Sequence, residues 1–358
     1  MLVIQMETRN DHFGDIVDRL VTTPLGQLGQ EELNPGIVPA VYAEARQKYG
    51  RPLTLLAAER LIGAVERDDN VVIMTNSEEM DGPPGAAALA RAIDVALDAR
   101  PIIVTSWSPT DLIPSEERTR RVLPETCIAA GLMPVEYDLL RARAHRVHVH
   151  PFPSECLTTS KVLAQELFDL YEPAAVITTE VMGRNEKGVY HSALGYRLYE
   201  GLTSHDKVDR LDCILEAASD RGITSISVGD NGNEMGFAGI ADAWRRHHPF
   251  GAKCRCPCGS GIVSATTSNV AIPAATSNWG CYGVEACLAK LKGDPEVMHD
   301  GDTERRMLHS CANVGVPDGA TVWCTPTTDG TPHAASVYVV ELLGMTVSRS
   351  FRTLHRPW

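Results

Sequence analysis

Between residues 12 and 66 apolar positions recur at helical spacing. Leu53, Leu55, Leu56, Leu61 and Ile62 form a stripe, with Ala57, Ala58 and Ala64 between them. Such a stripe predicts a mostly helical segment. Beyond it the pattern alternates. Short apolar runs at 71–74, 102–104, 175–177, 223–228 and 270–272 read as buried strands. Helical patterns follow near 84–98, 116–131, 157–170, 204–220, 236–247, 278–292 and 333–345. Apolar strands alternating with helices predict a layered α/β fold, a mostly parallel sheet with helices on both faces. The expected organisation is one domain over residues 1–358: a helical N-terminal segment at 1–68, an α/β core at 69–346 and a tail at 347–358. The basic, polar tail is expected to be loosely ordered. The stretch 247–268, rich in Cys, Pro, Gly, Ser and Thr, reads as an inserted loop or small hairpin.

Composition adds little to this picture, and charge adds more. The 358 residues are 44% hydrophobic and 22% charged, which is ordinary for a globular protein with ample core. The net charge of −13 counts against nucleic acid or an anionic membrane surface as partner. It leaves room for a small anionic substrate, an amino acid or a phosphate ester, held by local cations and helix N-termini, and for a homo-oligomer. The N-terminal residues show no cationic segment followed by an apolar core, so no secretory signal is expected. No run has the length of a membrane span. Ten scattered cysteines without an export signal read as reduced thiols in a cytoplasmic protein.

Candidate chemistry lies where strands hand over to helices. The turn 229–236, Gly-Asp-Asn-Gly-Asn-Glu-Met-Gly, follows the run at 223–228 and places Asp230 and Glu234 among glycines. Open α/β sheets bind ligands at such turns. Acidic side chains there point to a metal ion shared with a ligand. The plainer reading is a helix cap, with Asp230 or Asn231 as N-cap and Glu234 completing a capping box. Gly229, Gly232 and Gly236 exceed what a cap needs; they permit positive φ and close approach. Asp81, in Glu78-Glu79-Met80-Asp81-Gly82-Pro83-Pro84-Gly85-Ala86, also ends a strand, or simply caps the next helix. Glu180 ends the run at 175–177, and the loop behind it offers Arg184 and Lys187 to carboxylate or phosphate groups. Ser277 and Asn278 open the last of these helices. Cys254, Cys256 and Cys258 lack the Cys-x-x-Cys pairs of a zinc site, so this segment is read as an irregular loop. His148 and His150 share a strand face and are read as part of a surface strand. Nucleophile-elbow, P-loop and His-Glu-x-x-His motifs are absent from the sequence.

Taken in order, the segments at 81–86, 229–236 and 277–280 resemble the D-glutamate cyclase family. The likeness is to the domain at the C-terminal end of eukaryotic members, which stands alone in many prokaryotic ones. Glu180, Gly183, Arg184, Gly188, Tyr190, Asp329 and Gly330 fit the same pattern, over roughly residues 10–345. The chain departs from it at Asn231, at Cys281 and at Ser268-Asn269, which replace a glycine, a glycine and a small residue with aspartate.

The resemblance implies a lyase that dehydrates D-glutamate intramolecularly to 5-oxo-D-proline. Some archaeal relatives look like manganese-dependent phosphatases, which is the alternative; the replaced residues also admit a small-molecule-binding protein without catalysis. The eukaryotic enzymes carry a hydro-lyase-like domain ahead of this one, and the chain is expected to lack it. The implied catalytic set is Asp81, Glu180, Asp230 and Glu234. Glu180, Asp230 and Glu234 would hold a divalent cation, Mn²⁺ or Mg²⁺ given their all-oxygen chemistry, and Asp81 would accept the amine proton. The implied substrate contacts are Gly82, Arg184, Asn233, Ser277 and Asn278, aided by helix N-termini near residues 84 and 278.

Overall fold

The computed structural model describes residues 2–23, 25, 36–106, 116–142, 144–199 and 206–351. Seven strands form one sheet: β1 (Asn70–Thr75), β2 (Arg100–Ser106), β3 (Met133–Pro134), β4 (Arg146–Phe152), β5 (Ala175–Thr179), β6 (Thr224–Gly229) and β7 (Val270–Pro273). Their spatial order is β3-β4-β2-β1-β5-β6-β7, and every pairing is parallel. The continuous apolar runs follow from burial of both faces. Val71 and Ile73 of β1 enter one core, while Val72 and Met74 enter the other. In β5, Ala175 and Ile177 face the first core and Val176 the second.

The first core is covered by α1 (Leu2–Val21), α2 (Ile37–Tyr49), α3 (Leu53–Ala64), α4 (Gly82–Leu97), α8 (Ala241–His247) and α9 (Ser277–Lys292), with α11 (His333–Ser350) against α9. The second is covered by α6 (Leu157–Tyr171) and α7 (Asp212–Asp220). Helices α5 (Glu116–Ala129) and α10 (Gly301–Val314) pack on each other at one side. Helices α4 and α9 approach closely because Gly85 has no side chain: a Cβ there would stand 3.1 Å from the Asn278 Cα and 3.0 Å from the Cys281 sulfur.

From β1 the chain builds outward through β2 and β4, then returns to the other side of β1 as β5. The strand order therefore reverses between β1 and β5, which opens a crevice at their C-terminal ends.

The predicted layered α/β fold is present, with differences at element ends. The helix expected at 204–220 begins at Asp212; residues 204–205 lie outside the described residues. The helix expected at 236–247 begins at Ala241 after a short 3₁₀ turn, because Gly236 sits at φ +96° and cannot continue a helix. Residues 347–350 of the expected tail extend α11, while 352–358 lie outside the described residues. Helix α10 escaped the sequence reading because it is strongly polar. Its apolar face, Met307, Leu308, Cys311 and Val314, is short, and Asp300 caps its Thr303 N–H at 2.8 Å. The stretch 247–268 is no hairpin; its isolated bridges pair Ser264 with Asn185 and Thr267 with Phe237. The strand expected at His148 and His150 is β4, where His150 Nδ1 lies 2.8 Å from the Tyr171 hydroxyl. No helix among the described residues is long and apolar enough to cross a membrane.

Candidate active site

The parallel register sets the strand ends level. Thr75 pairs with Thr179, Thr179 with Val228, and Gly229 with Pro273. An acid follows directly on two of these ends, Glu180 after β5 and Asp230 after β6. The turn after β1 supplies Glu79 and Asp81, and the turn after β7 supplies Ser277. A loop ahead of α11 brings Asp318 and Asp329 over the same edge. The carboxylates of Asp81, Glu180 and Asp230 each offer an oxygen within 4.8 Å of the other two. All three are buried.

Short local contacts hold this group. The Ser277 backbone N–H donates to Asp81 Oδ2 at 3.0 Å, and the Ser277 hydroxyl donates to Glu180 Oε2 at 2.5 Å. Asp81 thus fills the N-terminus of α9, where the dipole favours an anion, rather than capping α4. Glu180 sits at φ +50° and Asp329 at φ +52°. Positive φ in non-glycine residues costs energy and clusters at functional sites. Glu234 folds the turn it belongs to: its Oε1 accepts from the N–H groups of Asp230 and Asn231, both at 3.0 Å. Gly229 makes room for this, since a Cβ there would lie 2.8 Å from the Glu234 carboxyl carbon. Only the glutamate half of a capping box is seen, and it closes a loop rather than directly preceding a helix.

These groups surround a cavity of about 260 Å³. Glu79, Glu180, Asp230, Asn233, Asp318 and Asp329 supply its polar wall, and Met182, Leu194, Leu198 and Val322 its apolar one. Neither lysine nor arginine is among its described lining residues. Among the described residues the acids therefore face each other without a countercharge. Burial first, then neighbouring carboxylates, raise Glu180, Asp230 and Asp329 well above the ordinary carboxylate range. Loss of water and then the Asp81 charge raise Glu79 to about 8; burial, opposed by the Ser277 N–H, raises Asp81 to about 7. A divalent cation would replace the protons that otherwise keep this group neutral. The donors fit one: all are oxygens, and Glu234 Oε2 and Asp329 Oδ2 are buried without a hydrogen-bond partner.

The expected residues divide into three places. Glu180, Asp230 and Asn233 line the cavity, while Asp81, Gly82, Ser277 and Glu234 lie immediately behind it. Asn233 also donates to the His191 carbonyl at 3.0 Å. Arg184 and Asn278 turn elsewhere. Arg184 pairs with Asp212 at 2.5 Å and Glu216 at 2.7 Å. Asn278 accepts from the Thr276 hydroxyl at 2.6 Å and donates to Tyr282 at 3.2 Å. That tyrosine leads into a buried cluster of Glu285, His299 and Glu304. Ser268 and Asn269 bond to the backbone around β6 and β7, so the departure from the pattern there does not reach the cavity. Cys281 donates to Thr179 at 3.2 Å between α9 and β5.

Sequence reading did not assign Glu79, Asp318 or Asp329 a site role. Glu79 lies in the same turn as Asp81, with nothing in its spacing to mark it. Asp318 accepts from Ala320, Thr321 and Gly330 N–H groups and so shapes the loop that delivers Asp329.

The cysteine segment is the irregular loop expected, and a fourth ligand-type residue stands beside it. Cys254, Cys256 and Cys258 converge with His191, their ligand atoms all within 4.8 Å of one another. The fourth member comes from a distant loop, which spacing among cysteines alone does not reveal.

Comparison with known proteins gives the family. A family model described as D-glutamate cyclase-like, C-terminal, matches residues 50–344. Human mitochondrial D-glutamate cyclase is 26% identical over 211 residues, which is 59% of this chain and 30% of that enzyme. The shared stretch is thus less than a third of the human enzyme's length.

Proposed function

From the premise that this chain belongs to the D-glutamate cyclase-like family, over its C-terminal type of domain, we propose that it is a carbon–oxygen lyase. It converts D-glutamate to 5-oxo-D-proline and water, with Mn²⁺ or Mg²⁺ held by Asp81, Glu180 and Asp230. The observation that carries the reading is the convergence of these three carboxylates at the edge of a small acidic cavity.

Ring closure joins the α-nitrogen to the carboxyl carbon Cδ of the γ-carboxylate and breaks one of that carbon's C–O bonds. The ammonium group gives up two protons and the departing oxygen takes up two, so no outside reagent is consumed. Asp81, Glu180 and Asp230 would hold the cation, and its charge would polarise the γ-carboxylate and offset charge on the leaving oxygen. The chain's own residues do the rest. The acidic wall attracts the substrate ammonium, and Leu194, Leu198 and Val322 receive its methylenes. Glu79 lines the cavity, and its carboxyl at about 8 is poised to exchange protons near neutral pH. Asp81 lies behind the wall, so its part is to hold the cation, and the proton role passes to Glu79. Ser277 fixes Asp81 and Glu180 relative to each other.

The test is a metal-content measurement joined to turnover assays with D-glutamate, 5-oxoproline and a generic phosphate ester. Mn²⁺-dependent loss of D-glutamate supports the lyase. Phosphate-ester hydrolysis without it would transfer the site to a phosphatase, and binding without turnover to a lapsed enzyme.

Arg184 gives a second check. Its bonds to buried Asp212 and to Glu216 make it structural. Arg184→Lys is expected to lower stability by about 1.5–3 kcal/mol and leave the KM for D-glutamate unchanged. A clear rise in KM without loss of melting temperature would return Arg184 to the substrate.

A further inference from the structure

We propose that His191, Cys254, Cys256 and Cys258 form a structural zinc site, separate from the acidic cavity and independent of the lyase reading. The Cys254 sulfur lies 3.3 Å from that of Cys256 and 3.4 Å from that of Cys258. His191 Nε2 lies 3.3 Å from Cys256 and 3.8 Å from Cys258. A tetrahedral zinc with bonds of about 2.3 Å to sulfur and 2.0 Å to nitrogen has edges of about 3.8 and 3.5 Å. The four atoms already stand near the corners of that figure. The sulfurs are too far apart for a disulfide, whose bond is about 2.05 Å, and all three thiols are free.

The surroundings suit thiolates. The Cys258 N–H donates to the Cys256 sulfur at 3.4 Å, and Asn185 Nδ2 donates to the Cys258 sulfur at 3.6 Å. Donors aimed at sulfur stabilise its negative charge and fix ligand orientation. His191 is fully buried, an unfavourable place for an imidazole without a partner. Three sulfurs and one imidazole select zinc over the harder cations of the carboxylate site.

The site has a mechanical reason to exist. Residues 248–269 contain no helix or strand, and neither do the described residues of 180–211. Segments of that length seldom hold a fixed shape unaided. Zinc would staple one to the other, beside the Arg255 N–H bond to the Gly195 carbonyl at 2.9 Å. The staple also bears on the cavity. Ser192, Ala193 and Leu194, next to His191, line it, and the His191 carbonyl holds cavity residue Asn233. Binding releases thiol protons, and the metal takes no part in chemistry because four protein ligands close its coordination.

The full chain, expressed with zinc supplied, is expected to retain one zinc per chain through dialysis against EDTA. Cobalt exchanged into the site should give a sulfur-to-metal charge-transfer band in the near ultraviolet. That band should persist in Asp230→Asn, which alters only the carboxylate site, and weaken sharply in the Cys254→Ser/Cys258→Ser double variant. Zinc-free variants should show faster proteolysis between residues 248 and 269. Natively folded wild-type protein with neither retained zinc nor the cobalt–thiolate band would overturn the proposal, whatever the variants do. An iron–sulfur chromophore in the purified protein would overturn it as well.

Discussion

Asp230→Asn is expected to cut Mn²⁺-dependent turnover of D-glutamate by on the order of 100- to 1,000-fold, seen as a fall in kcat/KM. The amide keeps the shape of the carboxylate and removes its charge. Asp230 follows the last residue of β6, and one of its oxygens lies within 4.8 Å of oxygens on Asp81 and Glu180. Only two of the three carboxylates would then remain to hold the cation. A cation held by fewer charges binds more weakly and polarises the γ-carboxylate less. The fold should not suffer. Asp230 is raised well above the ordinary carboxylate range by burial and by Asp329, Glu180 and Glu234. Removing one charge from that group relieves repulsion, so the metal-free variant should melt no lower than the metal-free parent. Lost activity with unchanged melting separates a site defect from a folding defect. Full activity in the variant would sink the metal-assisted reading.

The strand ends were legible because buried parallel strands leave unbroken apolar runs. An acid immediately after such a run, as at Glu180 and Asp230, stands out against them. Register then did what the sequence implied, bringing those ends level in one crevice. What spacing could not show was direction. Arg184 sits in the right loop, yet buried Asp212 on α7 draws its guanidinium away. Asn278 opens the right helix, yet its side chain joins the Tyr282 cluster. Both outcomes depend on partners far along the chain. The same limit hid His191, whose place beside the three cysteines is set by two irregular segments folding together. It also hid the place of Asp329, which fits the family pattern but is carried back over the sheet by the turn that Asp318 holds.

The acidic cluster makes stability a second, activity-free readout. A carboxyl whose folded pKa lies above its unfolded value keeps its proton in the fold after the unfolded chain has released it. Its contribution to stability is therefore lost as pH rises between the two values. For Asp81 that window runs from 3.8 to about 7, and for Glu79 from 4.5 to about 8. Glu180, Asp230 and Asp329 act in the same direction. Buried His299 adds to the trend over a higher window. Burial alone would lower it, but Glu285 and Glu304 raise it to about 9, so its stabilisation is lost as pH climbs from 6.5 through that value. The metal-free protein should thus melt about 5–10 °C lower at pH 8 than at pH 5. Mn²⁺ separates the two sources. It replaces protons on the carboxylates and leaves His299 untouched, so it should raise the melting temperature strongly at pH 8 and weakly at pH 5, where protons compete. The Asp230→Asn variant should lose most of the rise at pH 8. An equal rise at both pH values, or none at pH 8, would mean that the carboxylates do not gather a cation, and the high pKa values would then serve the fold alone.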